Sequence, residues 1–163
     1  MVGPDIGAPA GKRWGILVGL LALCCAVAGI GGWVTATSVE SWYPTLAKPG
    51  FTPPDRVFGP VWSVLYAMMA VAAWLAWRRV GWRDRALGLF FAQLALNLAW
   101  SVLFFGLQLV GAALAEILLL LAGIAATTLA FWRIDRRAGL LLVPYLLWVG
   151  YASLLNGAIW LIN

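Results

Sequence analysis

Histidine is missing from this chain altogether, and Asp plus Glu number 6 against 11 Lys plus Arg. The first absence removes the commonest metal ligand, the usual haem axial ligand and the usual general base near neutral pH. Cysteine is scarce as well. Cys24 and Cys25 stand side by side in an apolar run, where neighbours on a helix point in different directions. That argues against a disulfide or a metal pair and for core filling. Charge of either sign is thin: 10% of the 163 residues are Asp, Glu, Lys or Arg, against about 25% in soluble domains. Nothing resembles a hydrolytic triad, a metal centre or a nucleotide loop, and no linker or low-complexity segment marks a second domain.

What fills the chain instead is apolar surface. Hydrophobic residues make up 64% of it, and the mean hydropathy is +0.93. This is the composition of a polytopic membrane protein, an all-α bundle forming a single domain. A membrane helix needs about 20 apolar residues, and five such runs span residues 14–38, 59–77, 85–106, 109–132 and 138–162. The first follows Lys12-Arg13 but is too long for the apolar stretch of a signal peptide, and four more spans come after it.

The pI of about 9.8 does not point to nucleic acid, because the basic residues sit beside the apolar runs, where they set topology and meet anionic lipid. With five spans, the N-terminus and the second and fourth loops share one face. That face carries Lys12, Arg13, Arg78, Arg79, Arg83, Arg85, Arg133, Arg136 and Arg137, and the other only Lys48 and Arg56. The asymmetry predicts a cytoplasmic N-terminus and an external C-terminus in a bacterial inner membrane. Trp14, Trp33, Trp77, Trp82, Trp132 and Trp160 fall near span ends and are expected to form an interfacial belt.

Residues 42–62, between the first two spans, are neither short nor bland. Lys48-Pro49 and Thr52-Pro53-Pro54 force extended backbone before each proline, and the prolines remove donors that a sheet or long helix needs. Trp42, Tyr43, Phe51, Phe58 and Trp62, with Tyr66 just beyond, give the segment rings to pack on. A stiff, aromatic, weakly charged loop suits a lid over a pocket, with Trp42, Lys48, Pro49, Pro53, Pro54 and Arg56 as lid residues.

Polar side chains within the spans should face the bundle or a cavity. In the third span Gln93, Asn97, Trp100, Ser101 and Phe104 recur along one stripe; in the fifth, Tyr145, Trp148, Ala152 and Asn156 do so; Trp62 and Tyr66 open the second. Trp62, Trp100, Trp148 and Asn97 together predict a cavity wall of flat faces with few polar points, suited to a large, planar, mostly apolar ligand. Asn97 and Asn156 have a second reading as bridges between helices. Glu116, in the fourth span, reads either as a neutralised bridging carboxyl or as a proton or ligand site. Pro144 should bend the fifth helix and re-aim Trp148. Ala28, Gly29, Gly31 and Gly32 allow close helix approach, with a dimer seam as one use.

Four segments together resemble the TspO/MBR family of tryptophan-rich sensory and translocator proteins. They are Trp42-Tyr43-x-x-Leu46-x-Lys48-Pro49 with Pro53-Pro54, then Phe58-x-Pro60-x-Trp62-x-x-Leu65-Tyr66, then Ala95-Leu96-Asn97-x-x-Trp100-x-x-x-Phe104-Phe105-Gly106, and Val143-Pro144-Tyr145-Leu146-x-Trp148. The resemblance covers residues 42–156. It implies a five-helix bundle, often dimeric, whose pocket is closed by the first loop and binds porphyrins such as protoporphyrin IX, or isoquinoline and benzodiazepine drugs. Some bacterial relatives degrade protoporphyrin in light and oxygen. By motif position the essential tryptophans are Trp62 and Trp148, and the pocket-lining residues Tyr43, Asn97, Trp100 and Ala152. The sterol-recognition pattern of animal relatives is broken here, because Gly157 and Leu161 replace its Tyr and Arg.

Three functions follow as expectations. The first is a porphyrin-binding homodimer acting as sensor, scavenger or translocator, with no cofactor of its own and Lys48 or Arg56 meeting the propionates. The second is an enzyme that oxidises porphyrin in light, using Trp62 and Trp148. The third is a proton-coupled exporter built on Glu116.

Overall fold

In lipid every backbone polar group must be satisfied within the protein, which leaves the helix as the natural form for long apolar runs. The computed structural model describes residues 10–163, and their regular structure is entirely helical. The helices are α1 (Ala10–Val39), α2 (Phe58–Val80), α3 (Arg85–Ser101), α4 (Val110–Ile134) and α5 (Arg136–Ile162). Each is long and apolar enough to cross a membrane, α3 doing so together with the turn that follows it. The protein is an integral membrane protein. The helices form a ring in the order α1, α2, α5, α4, α3, which closes back onto α1.

One face of the bundle gathers the basic residues and is tightly capped. Gly81 ends α2 at φ 75, a conformation that costs glycine little, and its N–H donates to the Trp77 carbonyl at 2.8 Å. Asp84 starts α3 by accepting from the Ala86 N–H at 2.8 Å, and Asp135 starts α5 by accepting from the Arg137 N–H at 2.9 Å. Both satisfy donors that a helix start leaves orphaned. Arg79 reaches across to Asp135 at 3.3 Å. Burial works against the Asp135 carboxylate, but the Arg137 N–H, the Arg79 guanidinium and the Ala138 N–H outweigh it and hold the carboxyl below its ordinary value.

The half of the bundle nearest this face is filled. Met69, Ala70, Ala73, Phe90, Phe131 and Tyr145 are each 0% exposed. At Gly139 an added Cβ would lie 2.8 Å from the Trp132 Cα, so α4 and α5 approach there too closely for any larger residue.

On the opposite face α3 ends differently. Val102–Gly106 form a wider π turn, with the Leu107 N–H donating to the Val102 carbonyl at 2.8 Å and the Leu109 N–H to the Leu103 carbonyl at 2.9 Å. The Ser38 hydroxyl donates to the Phe105 carbonyl and pins α1 to this turn. Gln108, at φ 58, completes the tight reversal into α4.

Two expectations change and a third gains detail. Trp77 is 1% exposed and belongs to the core, because the turn after Gly81 folds Trp82 back over it at 5.7 Å. The cysteines divide: Cys24 is buried and Cys25 exposed. The small residues of α1 have uses inside the chain, since Gly31 is buried with Ser101 Oγ 3.4 Å from where its Cβ would be, and Ala28 and Gly32 line a cavity.

Candidate functional site

Away from the basic face the bundle opens around a cavity of about 430 Å³, within the roughly 300–1,000 Å³ range of small-molecule sites. Its wall comes from α1, α2, α3, α5 and the loop between α1 and α2, while α4 contributes nothing. The loop behaves as its prolines demand. It forms only two short 3₁₀ turns, Tyr43–Thr45 and Asp55–Val57, with irregular chain between them.

The loop is held down as a lid by contacts to α5. Asn163 Oδ1 accepts from the Ala47 N–H at 2.9 Å, and Asn163 Nδ2 donates to the Ala47 carbonyl at 3.0 Å. The Tyr151 hydroxyl donates to the Phe51 carbonyl, and the two rings meet edge-on at 6.3 Å. Tyr43 turns inward and is 5% exposed, its ring 6.4 Å from Phe104 and 5.8 Å from Phe105. Burial, then the neighbouring Asp55 and Tyr151, pushes the Tyr43 phenol up to about 12, so its hydroxyl keeps its proton at physiological pH.

Most of the anticipated residues converge. Tyr43, Trp62, Tyr66, Asn97, Trp100 and Ala152 all line the cavity. The stripe on α3 faces inward, with Gln93 1%, Asn97 2% and Phe104 2% exposed. Beneath the cavity runs a hydrogen-bonded chain. The Tyr66 hydroxyl donates to Asn97 Oδ1, Asn97 Nδ2 to the Tyr145 hydroxyl at 3.0 Å, and that hydroxyl to Gln93 Oε1 at 2.9 Å. Trp100 Nε1 donates to Asn156 Oδ1 at 3.1 Å, while Asn156 Nδ2 donates to the Val110 carbonyl at 3.0 Å. Both asparagines therefore bridge helices and line the cavity at once.

Trp148 is elsewhere. It is not among the cavity-lining residues; it lies in an open groove with Pro53, Val61, Leu65, Pro144, Leu147 and Tyr151. Helical phase alone does not exclude it. At about 100° per residue Trp148 points within about 20–40° of Ala152, Leu155 and Ile159, which do line the cavity. What sets it apart is the ring of Phe58 from α2. Its ring stands edge-on behind Phe58 at 5.8 Å, so it backs a wall residue. The helix α5 runs unbroken through Pro144.

The lid residues also divide. Trp42 packs on Phe104 at 5.8 Å, and the Lys48 ammonium sits 4.0 Å over the Tyr43 ring. Pro49 and Pro53 are half-buried, while Pro54 and Arg56 are exposed. Neither Lys48 nor Arg56 lines the cavity, whereas Asp55 does. Glu116, on α4, is also absent from the wall, and its carboxyl oxygens are buried without hydrogen-bond partners.

Several wall residues escaped the reading of the sequence: Thr35 and Ala36 on α1, Asp55, and Phe58, Gly59 and Ser63 at the start of α2. The signal on α1 was present as Ala28, Gly32 and Ala36, small residues at four-residue spacing along one face. Gly32, Ala36, Gly59 and Ser63 remain exposed while lining the cavity, so the wall is open between α1 and α2. Among the described residues no group of three or more His, Cys, Asp or Glu side chains gathers to hold a metal ion.

Comparison with known proteins agrees with this architecture. The profile of the TspO/MBR family matches residues 20–161. A tryptophan-rich protein TspO of Archaeoglobus fulgidus is 42% identical, covering 90% of this chain and 96% of the relative. One of the same name from Chlorobaculum tepidum is 44% identical over 88% and 92%. The human translocator protein is 42% identical over 73% of each chain.

Proposed function

The chain belongs to the TspO/MBR family, and from that footing we propose that its lid-side cavity binds planar, mostly apolar ligands of the protoporphyrin type for sensing, scavenging or translocation. One observation carries this reading. The cavity is walled by the flat rings of Tyr43, Phe58, Trp62, Tyr66, Trp100 and Phe104, and most polar groups among the wall residues are already spent on the protein itself. Such a wall rewards an extended π surface, since each aromatic pair contributes about 0.5–1.5 kcal/mol beyond burial. The test is a tryptophan-quenching titration with protoporphyrin IX in the dark. Wild type should saturate, Trp62→Ala should lose affinity about tenfold, and Trp148→Ala should lose less. Equal affinities in wild type and Trp62→Ala would remove the cavity from consideration.

A second reading, light-driven oxidation of the bound porphyrin, is favoured by the placement of Trp62. It lines the cavity with its ring 5.7 Å from Tyr66, which also lines it, and 6.2 Å from Tyr145, so two oxidisable rings lie beside the ligand with a third behind them. On this reading Trp62→Phe keeps dark binding but slows protein-dependent bleaching in air. Bleaching that runs equally fast in protein-free detergent would end it.

The basic residues of the capped face support a cytoplasmic placement for that side in a bacterial inner membrane, with the lid outside. Membrane-impermeant labelling of an Arg56→Cys variant in intact cells checks this, and labelling only after lysis would reverse it.

A further inference from the structure

We propose that Asp55 makes the mouth of the cavity selective for charge: it favours planar apolar ligands whose polar end is a cation or hydrogen-bond donor, and disfavours a carboxylate there. This rests on the reading of the cavity as a ligand site and specifies its chemistry.

The argument begins with which polar groups a ligand can still use. The hydroxyls of Thr35 and Ser63 donate to the carbonyls of Gly31 and Gly59 in their own helices, at 2.8 and 2.9 Å. Tyr66 and Asn97 are bonded to each other, and Asn156 joins Trp100 to Val110. What remains is the Ser101 hydroxyl on α3, the Trp62 indole N–H on α2, and two groups on the lid, the Tyr43 hydroxyl and the Asp55 carboxylate. Among the described residues Asp55 forms no ion pair.

The cations of the same loop do not cancel it from inside. Lys48 covers the Tyr43 ring, and neither it nor Arg56 reaches the cavity wall. The one charged side chain on that wall is therefore negative, beside a neutral phenol whose oxygen can accept as well as donate. An ammonium or N–H end is attracted by the first and accepted by the second, whereas a carboxylate is repelled by the first. A diacid macrocycle is accepted best with its carboxylates turned toward the opening between α1 and α2. Because Asp55 is exposed, salt and water screen it, and the selection is about threefold rather than a thousandfold.

Three probes with one macrocycle test this in dark titrations at low salt: protoporphyrin IX, its neutral dimethyl ester, and its bis-aminoethyl amide, which carries ammonium groups. Asp55→Asn should strengthen binding of the diacid about threefold, weaken the amine about threefold, and leave the ester within about twofold. Arg56→Gln, a charge change on the neighbour that does not line the wall, should move both charged probes less. Three probes shifting in one direction would show that Asp55 only shapes the lid. Unchanged acid and amine affinities with intact ester binding would overturn charge selection alone. Equal and opposite effects of Asp55→Asn and Arg56→Gln would assign the effect to the general potential of the rim and also overturn it. If wild type binds none of the three saturably, the ligand-site reading itself falls, and this proposal with it.

Discussion

The two halves of the bundle are made from the same five helices but spend their residues differently. Toward the basic face, methionine, alanine and aromatic side chains interlock with no exposure, and glycine at 139 lets two helices nearly touch. Toward the lid, small residues on α1 and the start of α2 face large rings on α3, and the space between them is left as a cavity. A helix pair cannot hold a void unless something else fixes its spacing, because unfilled space costs contacts. The packed half supplies that fixing. The asparagine and tyrosine chain at the boundary then sets the floor of the cavity without filling it.

Substitutions should separate the halves, and the largest effect belongs to the packed one. Phe90→Ala, which removes a ring stacked 6.1 Å from Phe131, should destabilise the fold by about 3–5 kcal/mol in detergent unfolding, with the Kd of the folded fraction nearly unchanged. Next, Trp62→Ala should weaken ligand binding about tenfold, roughly 1.4 kcal/mol, while its melting temperature falls less than that of Phe90→Ala. A larger stability loss in Trp62→Ala than in Phe90→Ala would erase the division.

Asn163→Ala removes the side-chain clamp on Ala47. At about 0.5–1.5 kcal/mol per hydrogen bond, ligand release measured by stopped flow should quicken about fivefold, with little change in melting. The smallest effect lies farthest from the cavity. Asp135→Ala removes the cap of α5 and should cost about 0.5–1 kcal/mol. Because the folded carboxyl titrates below its unfolded value, its contribution is present above the unfolded pKa and is lost as pH falls through the folded one. The acid limb of the pH–stability curve should therefore flatten in Asp135→Ala, and ligand affinity should not move.

Much of this architecture was legible because membranes restrict the options. Long apolar runs must be helices, and, with the π turn counted as part of α3, the helix ends fall within four residues of the expected limits. Prolines 49, 53 and 54 forbade a strand or a long helix in the lid, and three- and four-residue spacing put Asn97 and Trp100 on one inward face. Periodicity fixes a face but not which ring on it meets the cavity, however. Trp148 shares the helical sector of Ala152, Leu155 and Ile159, yet it lies in the groove behind Phe58, a ring supplied by another helix. Asp55 was passed over for the cations flanking it, because which of several adjacent loop side chains turns inward is decided by a 3₁₀ turn that composition does not encode. The small residues of α1 were read as allowing close helix approach, which Gly31 does against Ser101; that Ala28 and Gly32 also form a concave wall is visible only once α2 and α3 pack around them.

The most direct test of the central claim locates the ligand. In a Cys25→Ala background, Ser63→Cys places a thiol on the cavity wall, and Val64→Cys places one on the neighbouring outward face, where Val64 is 59% exposed. Maleimide labelling of each is then followed with and without protoporphyrin IX. The account predicts strong protection at position 63 and none at 64. Equal labelling at both positions in the presence of saturating porphyrin would contradict it.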